Sequence, residues 1–226
     1  GKRFGADYCT TDYQEVLEDK NVDAVIIATR HDKHGLMALE ALKAGKHVLL
    51  EKPLALEESE LVALEAFFAD DSEPKPVLLT GFNRRFSPYA AAIAAQLEKR
   101  SNPMIINYRM NAGYIPLDHW VHGVEGGGRN RGEACHIYDL FTFLTGSAVT
   151  SVQASAIVPL TGFFSGADNF VANVTFEDGS LATLTYTALG TAEFPKESMD
   201  IFVDGKVISL DDYRRLSFCG AKQKPL

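Results

Sequence analysis

The sequence predicts two fold classes in succession: an α/β parallel sheet over residues 1–102 and an α+β domain with a mainly antiparallel open sheet over residues 103–226. In the first hundred residues, short apolar runs alternate with helical segments. Such runs are typical of strands buried on both faces, and their alternation with helices implies parallel strands joined by right-handed crossovers. Beyond residue 103, alternating polarity and hairpin signals favour an antiparallel sheet with one covered face.

The first domain is predicted to contain four helices and three strands. The helices span residues 11–19, 34–44, 57–69 and 88–100, and the strands span 23–28, 47–51 and 76–81. Gly45 is placed to end the second helix, and Pro103 follows the last. In the third helix Leu61, Leu64 and Phe68 recur at i, i+3 and i+7, which predicts that all three lie on one buried face.

The second domain is predicted to begin with a strand over 104–110 and a long glycine-containing loop over 111–131. A helix follows from about Glu133 to Leu144. Two hairpins complete the pattern. Their strands span 170–176, 181–188, 201–203 and 207–210, with turns at 177–180 and 204–205.

Composition and charge exclude several classes of protein. With 46% hydrophobic and 23% charged residues, a chain of 226 residues can bury a core, which argues against disorder. The net charge of 22 − 30 = −8 disfavours nucleic acid or an anionic membrane surface as a partner, since both need a concentrated basic face. No apolar run reaches the roughly 20 residues that a membrane helix needs. Three widely separated cysteines, Cys9, Cys135 and Cys219, favour a cytoplasmic location.

Polar groups follow all three predicted strands of the first domain, in the stretches 28–31, 51–53 and 81–85. In open parallel sheets ligands bind beyond the carboxyl ends of the strands, so this convergence predicts a binding site. Lys52, held by the proline that follows it, is the most specific candidate. A lysine there can donate a proton, polarise a carbonyl or form a Schiff base. The alternative is a solvated loop lysine.

A second candidate cluster opens the helix of the second domain. Glu133, His136 and Asp139 stand at i, i+3 and i+6, so each neighbouring pair shares a helix face. An imidazole beside a carboxylate is suited to moving a hydroxyl proton as a general acid or base. The alternative is an acid that caps the helix and a core histidine bonded to the backbone.

Three further patterns bear on ligands. The histidines at 31, 34, 119 and 122 and the Cys135-His136 pair match no recognised zinc spacing, so no metal site is expected. The glycine-rich stretch 126–131 either wraps a phosphate or is a solvated loop. No G-x-G-x-x-G turn, the pyrophosphate cradle of dinucleotide-binding sheets, is present. Either the sheet binds no dinucleotide or its first βαβ unit lies upstream.

Several motifs occur in a characteristic order, at 22–29, 34, 41–48, 51–53, 81–86, 126–128, 136 and 139. Together they resemble the Gfo/Idh/MocA oxidoreductases. The resemblance implies a partial Rossmann-type parallel sheet that lacks its first βαβ unit. It also implies hydride transfer between a nicotinamide cofactor, NAD or NADP, and the hydroxyl or ketone of a sugar, polyol or nucleotide sugar.

The resemblance implies roles for individual residues. Lys52 contacts the reacting hydroxyl and the nicotinamide ribose, and His136 accepts and donates the proton, with Glu133 and Asp139 completing the catalytic set. The cofactor is lined by Ala28, Thr29, His31, His34, Glu51, Lys52, Pro53, Asn83 and Arg84. The substrate is contacted by Arg109, Asn111, Tyr114, His119, Trp120 and Arg131. The Lys52–Pro53 bond is expected to be cis.

Two positions depart from the family pattern. Gly132 stands where many members have an aspartate four residues before the histidine, and Glu133 is the carboxylate that follows it. His31 stands at a position where asparagine is common.

The stretches 107–116, 118–120 and 132–136 resemble a subgroup in which this domain follows a zinc-alcohol-dehydrogenase-like domain in one polypeptide. A homo-oligomer formed through the antiparallel sheet is also implied. The chain by itself is expected to bind dinucleotide poorly and to be inactive, and its end at 224–226 is expected to be early. Two other functions stay open: a lyase that forms a Schiff base with Lys52, and a non-catalytic sugar-binding module of a larger enzyme.

Overall fold

The structure, a computed structural model, describes residues 2–70 and 74–220. Gly1 and residues 221–226, which bear on the expected missing segments, lie outside the described residues. Two compact units divide between Gly81 and Phe82. The helix that follows belongs to the second unit, with Ile93 and Leu97 in its core. The predicted boundary between functional domains, after residue 102, lies about twenty residues beyond this division of compact units. That boundary stays a prediction.

The first unit consists of α1 (Tyr13–Glu18), β1 (Ala24–Ile27), α2 (His34–Lys43), β2 (His47–Leu50), α3 (Glu58–Ala69) and β3 (Leu78–Thr80). Its sheet is parallel, in the order β1-β2-β3, which confirms the predicted fold class. The register pairs Val25 with Val48 and Leu50 with Thr80. Their carboxyl ends therefore lie at one edge of the sheet.

Local side-chain contacts define where the helices of the first unit begin and end. The Asp12 carboxylate accepts a hydrogen bond from the Gln14 amide at the start of α1. Glu57 and Glu60 form a reciprocal capping box at the start of α3. Gly45 follows α2 with a φ of 78°, a left-handed conformation that glycine adopts without strain and that ends a helix.

The core of the first unit lies between the sheet and α2. Val48 and Leu50 are buried with Ala38 and Leu42 of α2, while Leu49 between them faces outward. This alternation follows from the strand period of two residues.

The predicted buried face of α3 is wrong at two of its three positions. Leu64 is buried, but Leu61 is 41% exposed and Phe68 is 37% exposed. Phe67 packs against the core instead. Apolar side chains surround most of α3, including the exposed Val62, so their spacing does not select one face.

The second unit consists of α4 (Pro88–Leu97), β4 (Ile105–Asn111), α5 (Cys135–Thr145), β5 (Val149–Ala156), β6 (Asn169–Phe176), β7 (Leu181–Thr187), β8 (Glu197–Val203), β9 (Lys206–Asp211) and β10 (Arg215–Cys219). Seven strands form one sheet in the order β10-β9-β8-β4-β7-β6-β5. Within the described residues it is antiparallel except where β4 runs parallel to β7. Both predicted hairpins, β6–β7 and β8–β9, are confirmed.

Sequence patterns missed the two edge strands, β5 and β10. All eight residues of β5 are exposed, and its sequence VTSVQASA has small polar residues without an apolar alternation. A strand at the edge of a sheet pairs on one side and needs little burial, so its sequence carries a weak signal.

Helices α4 and α5 supply one face of the core of the second unit. Ile93 of α4 and Ile137 and Phe141 of α5 are fully buried with Tyr108 and Leu184 of the sheet. None of the described helices is long and apolar enough to cross a membrane.

Candidate active site

The first group of candidate residues lies at the carboxyl ends of β1 and β2, and His34 ties the two ends together. His34 is 1% exposed at the start of α2. Its Nδ1 lies 2.7 Å from the carbonyl oxygen of Pro53, and its Nε2 lies 3.2 Å from that of Thr29. The shorter contact is the stronger hydrogen bond, with Nδ1 as donor. Both ring nitrogens therefore face main-chain atoms, and His34 fixes the stretches on either side of it.

Lys52 lies in the loop that His34 fixes. The Lys52–Pro53 bond is cis, as the resemblance implies, with Lys52 half-buried and Pro53 buried. Ala28, Thr29 and Glu51 are exposed at the same edge of the sheet. His31 is buried, with its ring centroid 5.6 Å from that of His34.

Gly81 closes this edge at the end of β3. Its amide donates to the Leu50 carbonyl at 2.7 Å, and a Cβ added there would lie 3.1 Å from a carboxylate oxygen of Glu51. The close approach of the two strand ends leaves little space for a side chain at this position. The structure therefore brings together the predicted first-unit residues Ala28, Thr29, His31, His34, Glu51, Lys52 and Pro53.

The second group surrounds the start of α5. A π-helical turn, Asn130–Ala134, precedes α5, so the helix begins two residues later than predicted. His136 lies in the first turn and is 7% exposed. The ring of Phe82 meets its imidazole edge to face, with centroids 6.1 Å apart and planes at 82°. Single-turn π-helical insertions of this kind are frequent at functional sites.

Glu133 binds three side chains other than that of His136. Its carboxylate accepts hydrogen bonds from Tyr186 at 2.5 Å, Arg129 at 2.8 Å and Lys196 at 2.9 Å. Although burial opposes ionisation, these hydrogen bonds and positive charges lower the pKa of Glu133 to about 2. A carboxylate held ionised in this way is poorly suited to donate a proton near neutral pH.

Asp139 and Arg84 also have side-chain partners that the sequence did not indicate. Arg85 binds Asp139 of α5 with two hydrogen bonds, one of them 2.9 Å long from Nε. Arg84 binds Glu197 of β8 in the same way, at 3.0 and 2.6 Å. The Asp139 carboxylate is therefore bound by Arg85. Asn83 beside Arg84 is exposed.

Arg109 and Asn111 lie on β4 and contact the segment 191–198. The Arg109 guanidinium donates to the Pro195 carbonyl at 2.9 Å and to Ser198 at 3.1 Å, on the sheet face opposite the buried Tyr108. The Asn111 amide donates to the Thr191 carbonyl at 2.8 Å. The contacts that the structure shows for Arg109 and Asn111 are therefore with the protein's own segment 191–198. Their contact with substrate stays a prediction.

The remaining predicted substrate residues lie in the long connection between β4 and α5. Tyr114 stacks on Phe163 with ring centroids 4.2 Å apart and remains 40% exposed. His119 caps a short 3-10 helix that begins with Trp120. Arg131 is exposed in the π-helical turn.

The glycine-rich stretch 126–131 is not a phosphate-binding loop built on Arg129. Arg129 is 3% exposed, and its guanidinium donates to the carbonyls of Ala112 and Gly113 and to Glu133. At Gly126 a Cβ would lie 2.4 Å from the Val121 backbone, so only glycine fits this close contact. The stretch packs against its own loop.

Sequence reasoning missed Asp168, Tyr186 and Lys196. Asp168 is 3% exposed and lies 3.7 Å from Nε2 of His122. Burial raises the pKa of Asp168 above its usual range. These residues come from the loops and strands that follow α5, so no spacing pattern connects them to Glu133. Across residues 2–70 and 74–220, no group of three or more histidine, cysteine or acidic side chains could hold a metal ion.

Two family models match the chain. The model described as "Oxidoreductase family, NAD-binding Rossmann fold" matches residues 1–72, and the model described as "GFO/IDH/MocA C-terminal domain" matches residues 104–207. They occur in the order of the two predicted domains.

Curated relatives and solved structures agree with these matches. The chain is 29% identical to scyllo-inositol 2-dehydrogenase (NAD(+)) of Bacillus subtilis over 79% of this chain and 52% of that protein. It is 29% identical to levoglucosan dehydrogenase of Pseudarthrobacter phenanthrenivorans over 69% of this chain and 42% of that protein. A crystal structure of an oxidoreductase domain protein from Kribbella flavida superposes with a TM-score of 0.80 at 26% identity, covering 95% of this chain and 63% of that one. The chain thus spans about half the length of the curated relatives it matches.

Proposed function

Because the chain belongs to the GFO/IDH/MocA family of oxidoreductases, we propose that it is part of an NAD-dependent dehydrogenase that acts on a sugar or polyol. The observation that carries the proposal is the placement of Lys52. It lies at the carboxyl end of β2, held by His34, in the part of the chain that the NAD-binding model matches. Two relatives with dehydrogenase names act on inositol and levoglucosan, which favours a hydroxyl-rich ring as the substrate class.

The residues of the first unit fit a nicotinamide nucleotide. Ala28 and Thr29 are small and exposed at the end of β1, so a flat ring can approach the main chain there. Lys52 is half-buried beside them, with its loop fixed through Pro53. When bound, NAD accepts a hydride from the substrate carbon.

The proposed roles follow the resemblance. Lys52 binds the reacting hydroxyl and orients it, since an ammonium group stabilises negative charge that develops on that oxygen. His136 takes the hydroxyl proton as the carbon–oxygen double bond forms and returns it in the reverse reaction. His136 thus holds the proton released from the alcohol, and the hydride would pass to bound NAD, so that the alcohol becomes a ketone.

Two alternatives predict different chemistry at the same residues. A Schiff-base lyase would form a covalent adduct with Lys52 that borohydride reduction traps. A non-catalytic sugar-binding module would bind its ligand but lose no turnover when Lys52 or His136 is replaced.

The test uses the protein expressed with every segment that its gene encodes. NAD and NADP are supplied with a panel of inositols, levoglucosan and aldoses, and reduced cofactor is measured by its fluorescence. We expect reduction with at least one compound, and Lys52→Met to abolish it while the circular dichroism spectrum is unchanged. If neither cofactor binds and none of the compounds reduces it, the proposal is wrong.

We further propose, from the resemblance, a homo-oligomer formed through the antiparallel sheet. On the outer face of that sheet Phe202, Ile105 and Leu181 are paired neighbours and are all exposed, which supports an apolar contact surface. Light scattering of Ile105→Asp would test it: the variant should be smaller in solution than the wild-type protein.

A cytoplasmic location and a fused zinc-alcohol-dehydrogenase-like domain also stay proposals. The first rests on the spacing of the cysteines and the second on the motifs in 107–136. Sequencing the gene beyond both ends of this chain tests the second directly.

A further inference from the structure

Two adjacent arginines at the start of the second unit bind two different elements of it. They lie in a 3-10 helix, Asn83–Phe86, directly before α4. Arg84 reaches Glu197 on β8, and Arg85 reaches Asp139 on α5. We call these two ion pairs the double-arginine clamp.

The geometry of both pairs is that of strong, specific contacts. In each, Nε and one terminal nitrogen of the guanidinium bind the two carboxylate oxygens, the bidentate arrangement that fixes orientation as well as distance. The Glu197 and Asp139 side chains are only 10% and 8% exposed, so water screens the charges weakly.

Aromatic side chains complete both ends of the clamp. The Arg84 guanidinium lies 6.0 Å from the ring of Tyr213, and Tyr108 donates a hydrogen bond to Glu197. Although burial opposes it, contact with Glu197 raises the pKa of Arg84 above its usual range, so the charge persists. The Arg85 guanidinium lies 5.4 Å from the ring of Phe143 on α5.

The clamp acts on His136 from two directions. Asp139 lies three residues after His136 on α5, so its pairing with Arg85 ties the first turn of that helix to the 3-10 helix. Phe82, next in sequence to the 3-10 helix, places its ring against the imidazole of His136. Fixing residues 83–86 therefore fixes both the helix that carries His136 and the ring that packs on it.

We propose that Arg85, Asp139, Arg84 and Glu197 are positioning residues, which hold the His136 imidazole at one orientation for proton transfer. This rests on the proposed function only in the role of His136. It replaces the idea that Asp139 moves a proton, because both of its carboxylate oxygens accept from Arg85. It likewise replaces a cofactor contact by Arg84, because its guanidinium is bound by Glu197.

The experiment compares Arg85→Met with a matched control, Arg100→Met, in the full-length protein. Arg100 forms a partly buried ion pair with Asp178 and donates to the Thr145 carbonyl at the opposite end of α5. Arg85→Lys keeps the charge and is the conservative variant. Should Arg85→Met fail to fold, Asp139→Asn removes the same ion pair with little change of shape.

Two readouts separate positioning from general stability. The imidazole resonances of His136, assigned with His136→Gln, are displaced by the ring current of Phe82 and report the orientation of the ring. We expect these chemical shifts to change in Arg85→Met and to be unchanged in Arg100→Met. In Arg85→Lys we expect a smaller change than in Arg85→Met. We expect kcat to fall about a hundredfold in Arg85→Met with KM for NAD unchanged, the loss that a misplacement of about 1 Å can cause.

The outcomes are distinct. Unmoved His136 resonances in a folded Arg85→Met or Asp139→Asn overturn the proposal, and so does an equal displacement in Arg100→Met. A raised KM for NAD in Arg84→Met with unchanged kcat would show that Arg84 contacts the cofactor. That result would overturn the positioning role proposed for Arg84. If the wild-type protein reduces no cofactor, the proposed function fails, whereas the resonances still test the clamp.

Discussion

The two units hold their candidate residues by different kinds of contact. In the first unit, Lys52 and Thr29 are placed by main-chain geometry, with His34 hydrogen-bonded to the Pro53 carbonyl and its second ring nitrogen facing the Thr29 carbonyl. In the second, the surroundings of His136 are held by charged side chains: Glu133 with Arg129 and Lys196, and the double-arginine clamp. Main-chain placement survives the loss of any one charge, whereas a network of buried ion pairs does not. Removing single charges should therefore damage the second unit much more than the first.

The largest effect is expected from Arg84→Met. The substitution leaves the Glu197 carboxylate buried without its cation, and breaking a buried pair by removing one partner costs about 3–5 kcal/mol. Urea denaturation at neutral pH measures the loss. As a control, Arg214→Met removes an ion pair whose arginine side chain is 83% exposed, and the free energy of unfolding should change by less than about 1 kcal/mol. Equal losses in the two variants would contradict the comparison.

Acid should weaken the second unit through Glu133. Its pKa is about 2 in the folded protein against an ordinary 4.5, so ionised Glu133 contributes about 3 kcal/mol, as the product of 1.36 kcal/mol and the shift. Because the folded pKa is the lower one, this stability is present above pH 4.5 and is lost as the pH falls toward 2. Denaturation of the wild-type protein and of Glu133→Gln across that range measures it. The variant should start less stable and lose less on acidification, and parallel curves would contradict the network.

The first unit offers the complementary test. His34→Leu removes the donor to the Pro53 carbonyl and leaves a buried acceptor unpaired, which costs about 1–3 kcal/mol. His47→Leu removes an exposed acceptor of the Val77 amide at the other end of β2 and is the matched control, with a smaller loss. Of these two variants, His34→Leu should also reduce turnover, because His34 contacts the Lys52 loop and His47 contacts Val77. Equal turnover in the two variants would show that the loop is held by something else.

The smallest change in stability is expected for substitution of Asp168, and this substitution should stabilise the protein where the others destabilise it. Burial raises the pKa of Asp168, so the ionised carboxylate opposes folding once the pH exceeds the ordinary value of 3.8. Asp168→Asn removes that charge, so its melting temperature should exceed that of the wild-type protein at neutral pH. The difference should vanish as the pH falls to 3.8. A lower melting temperature at neutral pH would mean that the charge is stabilising, through His122 or Arg129.

The same contrast explains what could be predicted from the sequence. The parallel strands, their helices and the strand ends around Lys52 follow from local patterns, because each depends on residues close together in the chain. The partners of Arg84 and Arg85 lie 113 and 54 residues away. The sequence therefore shows both arginines after a strand, and no local pattern indicates their partners.

Two other features of the structure were not predicted: the partners of the Glu133 and Asp139 carboxylates, and the edge strand β5. The spacing of Glu133, His136 and Asp139 predicts that the three share one end of a helix. It does not show that Arg129 and Arg85 bind the two carboxylates. Arg85 lies 54 residues before Asp139, so local spacing could not indicate that contact. Strand β5 was not predicted because an exposed edge strand needs no apolar pattern.

The most direct test of hydride transfer by this protein follows an isotope. The polyol that reduces NAD in the substrate panel is labelled with deuterium on its reacting carbon, and the full-length protein is given that compound and NAD. We predict that the nicotinamide ring of the product NADH carries the deuterium, and that neither Lys52→Met nor His136→Gln produces labelled NADH at a comparable rate. Deuterium released to water, or equal transfer by both variants, would contradict the account.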